Sequence, residues 1–269
     1  MHDHLIDDRY RLVDRVGSGE FSSIWSAVDV RLDRTVALKL FAPQATRHLR
    51  TEDALSATAA RWIPGLTRVY DVLVDLDVGD TQRTAVVREL APGAALDVWA
   101  SGGVASSAVA TVGAGVATTL AGLHQNGVAH GSVNVPNIIV GPDGEFRLTD
   151  FGVRRMLTGV PARPYEDVRQ LGAALLSVLT GRHVVGARTA RLALHRLRPD
   201  SGLRMRQSRA WTHILAGMVS DDVAARPSAV AAAASLTGLV HEPASRAATL
   251  RRRPMAEAEK PPWEVIFSG

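Results

Sequence analysis

The stretch "VAHGSVNVPNIIV", from Val128 to Val140, places His130, Ser132, Asn134 and Asn137 within eight positions. Shortly after it comes "LTDFGV", with Asp150, Phe151 and Gly152. An amide at Asn137 and a carboxylate at Asp150, held on facing loops, are hard oxygen donors of the kind Mg²⁺ takes together with substrate phosphates. Ser132 is a neutral hydroxyl, and a very poor base near neutral pH. Upstream, "VGSGEFSSI" carries Gly17 and Gly19 in a turn whose backbone N–H groups can approach phosphate oxygens. "VALK" follows and ends at Lys39, a point charge suited to a phosphate. Taken singly, these features are a hairpin and a surface lysine. A second bland reading is that Lys39 and Asp150 pair with each other and join two halves of the molecule.

Such residues need elements to position them. The first ninety residues read as strands: "YRLVDRVGSG", "SSIWSAVDV" and "RTVALKLF" alternate apolar and polar positions between turn signals. "HLRTEDALSATAARW" predicts a helix, and "RVYDVLVDLDV" and "TAVVREL" two further strands. After "APGAAL" the chain becomes Ala- and Leu-rich, with helices predicted over Ser106–Gln125, Asp167–Thr180, Arg188–Leu197, Trp211–Ser220 and Ser228–Leu239. A strand pair turning at "PDG" interrupts them. The division is therefore 1–90, 91–240 and a basic, Pro-rich tail over 241–269.

The 269 residues suffice for one large or two small domains, and 46% hydrophobic against 22% charged excludes a disordered chain. The chain has no Cys, which removes disulfides, thiolate zinc sites and a catalytic thiol. A net charge of +4 is too modest to indicate nucleic-acid binding. The absence of Cys fits a reducing cytoplasm, and no signal peptide is read in "MHDHLIDDRY". Val104–Leu123 carries no charge and is long enough to span a bilayer, but it is mostly Ala, Gly, Ser and Thr; a buried core helix is expected.

In their order along the chain, the Gly-rich turn, Val-Ala-x-Lys, the His130 loop, Asp-Phe-Gly, "EDVRQLGAALLSVLTGR" and "DDVAARPSA" resemble the protein-kinase superfamily, most of all bacterial Ser/Thr kinases. The likeness runs from Arg9 to Leu239. It implies an α+β, bilobal fold: a small β-sheet N-lobe with one main helix, and a larger, mainly helical C-lobe. It also implies ATP and Mg²⁺ as cofactors. Gly17 and Gly19 would cover the phosphates, Lys39 would pair with them, and Asn137 and Asp150 would hold the metal. Ala37 would lie over the adenine, and Glu89, Leu90 and Ala91 would form the hinge. Asp167 would brace the catalytic loop, and Arg226 would seek a glutamate.

The departures are as informative. The family's loop reads H-R-D-L-x-x-x-N. Here the catalytic acid is Ser132, the arginine is Gly131 and the loop lysine is Asn134. Only fourteen residues, Val153–Glu166, separate Gly152 from Asp167, with no Ala-Pro-Glu ending and little room for a peptide platform. Glu52 and Asp53 are candidates to pair with Lys39, although Ala54 fits the position better. The expectation is a pseudokinase, a regulatory or scaffolding module that retains ATP–Mg²⁺; the alternative is an active, atypical Ser/Thr kinase. A protein partner is expected. The tail's Thr249, in "SRAATLRRRP", could offer a phosphothreonine-reading domain a docking site, or be an untouched linker. The tail's apolar "PPWEVIFSG" could dock on the domain, contact a partner or lead toward a membrane segment in a longer parent.

Overall fold

The computed structural model describes residues 5–19, 21–43, 63–78, 81–200, 205–240 and 249–250. Strand β1 (Leu5–Ile6) opens a sheet continued by β2 (Tyr10–Gly19), β3 (Ser22–Asp29), β4 (Arg34–Phe41), β5 (Val69–Val78) and β6 (Thr81–Glu89). The spatial order is β1-β2-β3-β4-β6-β5, antiparallel throughout. The predicted helix over 48–62, with Glu52, Asp53 and Ala54, lies outside the described residues.

Strand periodicity decides what this sheet presents on each side. Side chains alternate faces, and β4 pairs with β6 so that Leu38 opposes Val87 and Leu40 opposes Ala85. Those four are buried and pack with Val36, Tyr10 and Ala27 in one core. The intervening residues, Ala37, Lys39 and Phe41 on β4 with Val86 and Arg88 on β6, therefore share the opposite face. That face is the roof of the cleft.

The larger part begins with β7 (Ala94–Ala95), α1 (Leu96–Ser101) and β8 (Val104–Ala105). Helix α2 (Ser106–Gln125) runs through its centre, packed on α4 (Pro164–Thr180) and α7 (Ala229–Val240). It is long and apolar enough to cross a membrane by length and composition, yet 67% of its most apolar window is buried inside the fold. Strands β9 (Ile138–Val140) and β10 (Phe146–Leu148) form the expected hairpin, joined by β7 in the order β10-β9-β7. Helices α3 (Val153–Thr158), α5 (Ala187–Asp200) and α6 (Met205–Met218) complete the mainly helical part. Leu120, Leu123, Leu175, Leu176, Trp211, Leu215 and Leu236 fill its core.

Three features differ from the sequence reading. Helix α6 begins at Met205, six residues before the expected Trp211, and ends at Met218 rather than Ser220. Helix α4 starts at Pro164 rather than Asp167, because proline at the first turn supplies a helical φ and lacks only an N–H that would be unpaired there. Helix α3, which no periodicity announced, buries Val153 and Met156 against Phe41, Val69 and Val86 of the sheet. In the tail, Thr249–Leu250 forms strand β11, antiparallel to β8; the remainder of 241–269 lies outside the described residues.

Candidate functional site

Between the sheet and the helices lies a cavity of about 1250 Å³, ample for a nucleotide-sized ligand. Gly17, Gly19, Ala37, Lys39, Leu90, Ala91, Ser132, Asn134, Asn137 and Asp150 all line it. The Gly-rich turn is positioned by the β2–β3 hairpin, where Gly17 opposes Ile24 and Gly19 opposes Ser22. Glu89 does not line the cavity. Its backbone N–H donates to the Arg68 carbonyl at 2.8 Å, and its carboxylate lies 3.5 Å from Arg147.

The floor is a pair of loops tied together. The Thr149 N–H donates to the Asn137 carbonyl at 2.8 Å. The Asn137 amide donates to the Ser132 carbonyl at 2.8 Å and to its hydroxyl oxygen at 3.1 Å. Asn134 accepts the Asn137 N–H at 3.1 Å and so caps the short 3₁₀ turn over Val135–Asn137. The buried Asp167 carboxylate accepts the N–H groups of His130 and Gly131, each at 2.7 Å, and contacts the His124 ring nitrogen at 2.9 Å. His130 packs edge-on to Phe151 and is fully enclosed; burial drives its pKa down to about 4, so it is neutral. It is an architectural residue.

The electrostatic centre is Asp150. It is buried, with a left-handed backbone at φ 65°. Lys39 donates a hydrogen bond to its Oδ2. Arg88 Nε stands 3.5 Å from its Oδ1. Burial pushes the Asp150 carboxyl up, but the Lys39 and Arg88 charges and the Lys39 hydrogen bond outweigh it, leaving the pKa below the ordinary value. The Arg88 guanidinium also donates to the Glu89 carbonyl at 3.3 Å. Arg88 escaped the sequence reading. The signal was there: a charged residue ends the otherwise apolar run "AVV" of a buried strand.

The protein kinase domain model matches residues 10–169. The chain belongs to the protein kinase domain family. It is 30% identical over 204 residues to the serine/threonine-protein kinase PknL of Mycobacterium tuberculosis (strain CDC 1551 / Oshkosh), covering 66% of this chain and 50% of that protein. It is 27% identical over 233 residues to PknB of Mycobacterium leprae (strain TN), covering 72% and 36%. The chain thus spans about half or less of the length of these relatives. The Mycobacterium tuberculosis PknI kinase domain superposes with a TM-score of 0.68 at 16% identity, covering 89% of this chain and 98% of that one. The bilobal kinase fold is therefore established, and the chain is a bacterial protein-kinase-like domain.

Within the kinase family's frame, the departures acquire geometry. Gly131 sits at φ +81°, and a Cβ there would lie 2.7 Å from the Ala162 Cβ, so the backbone itself disfavours the family's arginine. Between Gly159, which ends α3, and Pro164, which begins α4, only four residues remain, leaving no extended platform for a peptide. Arg226 finds Glu166 at 3.4 Å, the substitute for its missing partner.

The kinase family uses ATP and Mg²⁺. Asn137 and Asp150 have the right donor chemistry for the metal, but the surroundings of Asp150 do not fit it. Asp150 Oδ1 and Arg88 Nε are buried and have no hydrogen bond, facing each other as an ion pair. A divalent ion on Oδ1 would have to share that oxygen with the Arg88 guanidinium, a like charge enclosed in the same poorly solvated site.

Proposed function

We propose that this chain is a regulatory or scaffolding module of the kinase family that takes a nucleotide in its cleft without transferring the γ-phosphate efficiently. One observation carries the reading. Among the described residues lining the cleft, Asp150 is the sole carboxylate, and it is committed to Lys39 and Arg88. At the position where the family's acid would meet a hydroxyl acceptor stands Ser132, a poor base whose oxygen accepts the Asn137 amide. Loss of a positioned base costs about 10²- to 10⁴-fold. The lined cavity, Gly17, Gly19 and Lys39 support retention of the nucleotide.

The output of such a module is a protein contact, made in the cytoplasm. Thr249, beside a run of arginines, is the position a phosphothreonine reader would take. Treating the chain with an active relative and mapping the phosphates tests that point; an unmodified Thr249 removes it.

The central test is γ-phosphate transfer by the wild type and Asp150→Ala, with thermal stability measured with and without ATP. The reading expects a melting shift with ATP and no transfer above the variant's background. Transfer that is lost in Asp150→Ala would establish the alternative, a slow and atypical Ser/Thr kinase.

A further inference from the structure

We propose that Arg88 stands where the divalent cation would act: it is Asp150's built-in counter-charge, so the cleft takes its nucleotide free of metal. This rests on the nucleotide-binding reading above, but its core, exclusion of a divalent ion from Asp150, does not depend on it.

Three observations support it. The first is register. Arg88 opposes Ala37 across the β4–β6 ladder, which puts its side chain on the same sheet face as Lys39 and over the cleft. The second is enclosure. The side chains of Arg88 and Asp150 are 6% and 2% exposed, so their charges are poorly screened and a third charge cannot be added without cost. The third is charge count. Lys39 and Arg88 bring two positive charges to the single negative charge of Asp150, leaving the cluster at +1. A cluster of that sign attracts the phosphates of a nucleotide and repels a free divalent ion. The guanidinium is also anchored at its other end by the Glu89 carbonyl, which holds it in line with the carboxylate.

The direct test uses Mn²⁺ alone as probe, titrated into the full chain and followed by the paramagnetic resonance of the free ion. Wild type and Asp150→Asn should bind Mn²⁺ equally poorly. Arg88→Met should gain a site at least about tenfold tighter, which the added Asp150→Asn change removes. Arg88→Lys, which keeps the charge, should exclude the ion as the wild type does. Mn²⁺ binding by the wild type that Asp150→Asn abolishes overturns the proposal, and so does a folded Arg88→Met with no gain. If Arg88→Met fails to fold, the wild-type comparison with Asp150→Asn still decides.

A second arm measures melting temperature with ATP, in EDTA and in Mg²⁺. Equal shifts in the two support metal-free binding. A shift that requires Mg²⁺ overturns it. A shift in neither refutes the nucleotide-binding reading, and the Mn²⁺ titration then rules on Arg88 by itself.

Discussion

The Asp167 carboxylate, from the first turn of α4, accepts the Gly131 N–H at 2.7 Å while sealed from solvent. This contact holds the backbone of the loop that carries His130, Gly131 and Ser132. With the His130 N–H on the other oxygen, it fixes two peptide groups through one side chain. Asp167→Asn keeps an acceptor but turns an amide N–H toward a donor. It should destabilise the fold by about 3 kcal/mol, read as a lower urea midpoint.

Restoring the family's arginine should fail for a backbone reason. Gly131→Arg must adopt a left-handed conformation and displace Ala162. We expect a loss of about 3 kcal/mol, and Gly131→Ala should lose nearly as much. Equal thermal stability of wild type and Gly131→Ala would show that strain is not what keeps glycine there.

His130 gives the fold a pH dependence. An unfolded histidine takes its proton near its ordinary value of 6.5, whereas burial holds this one neutral down to about 4. Between those values the unfolded chain binds the extra proton, so acidification favours unfolding. From about pH 7 to about pH 5 the loss from this one side chain is about 2 kcal/mol. Denaturant titrations across that range should fall for the wild type and flatten for His130→Asn.

Adding the missing acid should not revive transfer. Ser132→Asp supplies a carboxylate, but Gly131, Asn134, the missing platform and Arg88 beside Asp150 all remain. The expected rise in γ-phosphate transfer is less than about tenfold, below the 10²- to 10⁴-fold that a base gives in an otherwise complete site. A larger gain would mean that Ser132 alone silences the cleft.

The sequence carried the site's floor and the fold's order well. Gly17, Lys39, Asn137 and Asp150 stood out because each sits in a short motif of the kinase family, and all of them line the cleft. Of the two bland readings, the pairing of Lys39 with Asp150 holds, whereas a surface lysine does not, since the Lys39 side chain is largely enclosed in the cleft. Arg88 stayed hidden because its meaning lies in strand register. Only the opposition of Ala37 and Arg88 reveals that it faces the cleft rather than the other core. Helix α3 stayed hidden for a different reason: six residues, "VRRMLT", are too few for a periodic signal, and burial of Val153 and Met156 against another element sustains them.

That burial links the two halves of the molecule energetically. Phe41, Val69 and Val86 of the sheet and Val153 and Met156 of α3 form one apolar cluster, with Met156 fully enclosed. Truncating Met156 to alanine should cost about 2–5 kcal/mol, and its mark should be loss of cooperativity as well as stability. The wild type should melt in one transition because neither half can come apart without exposing the other's apolar surface. In Met156→Ala the sheet should open as a separate unit ahead of the helices, visible as early hydrogen exchange across β1–β6 while α2 and α4 stay protected.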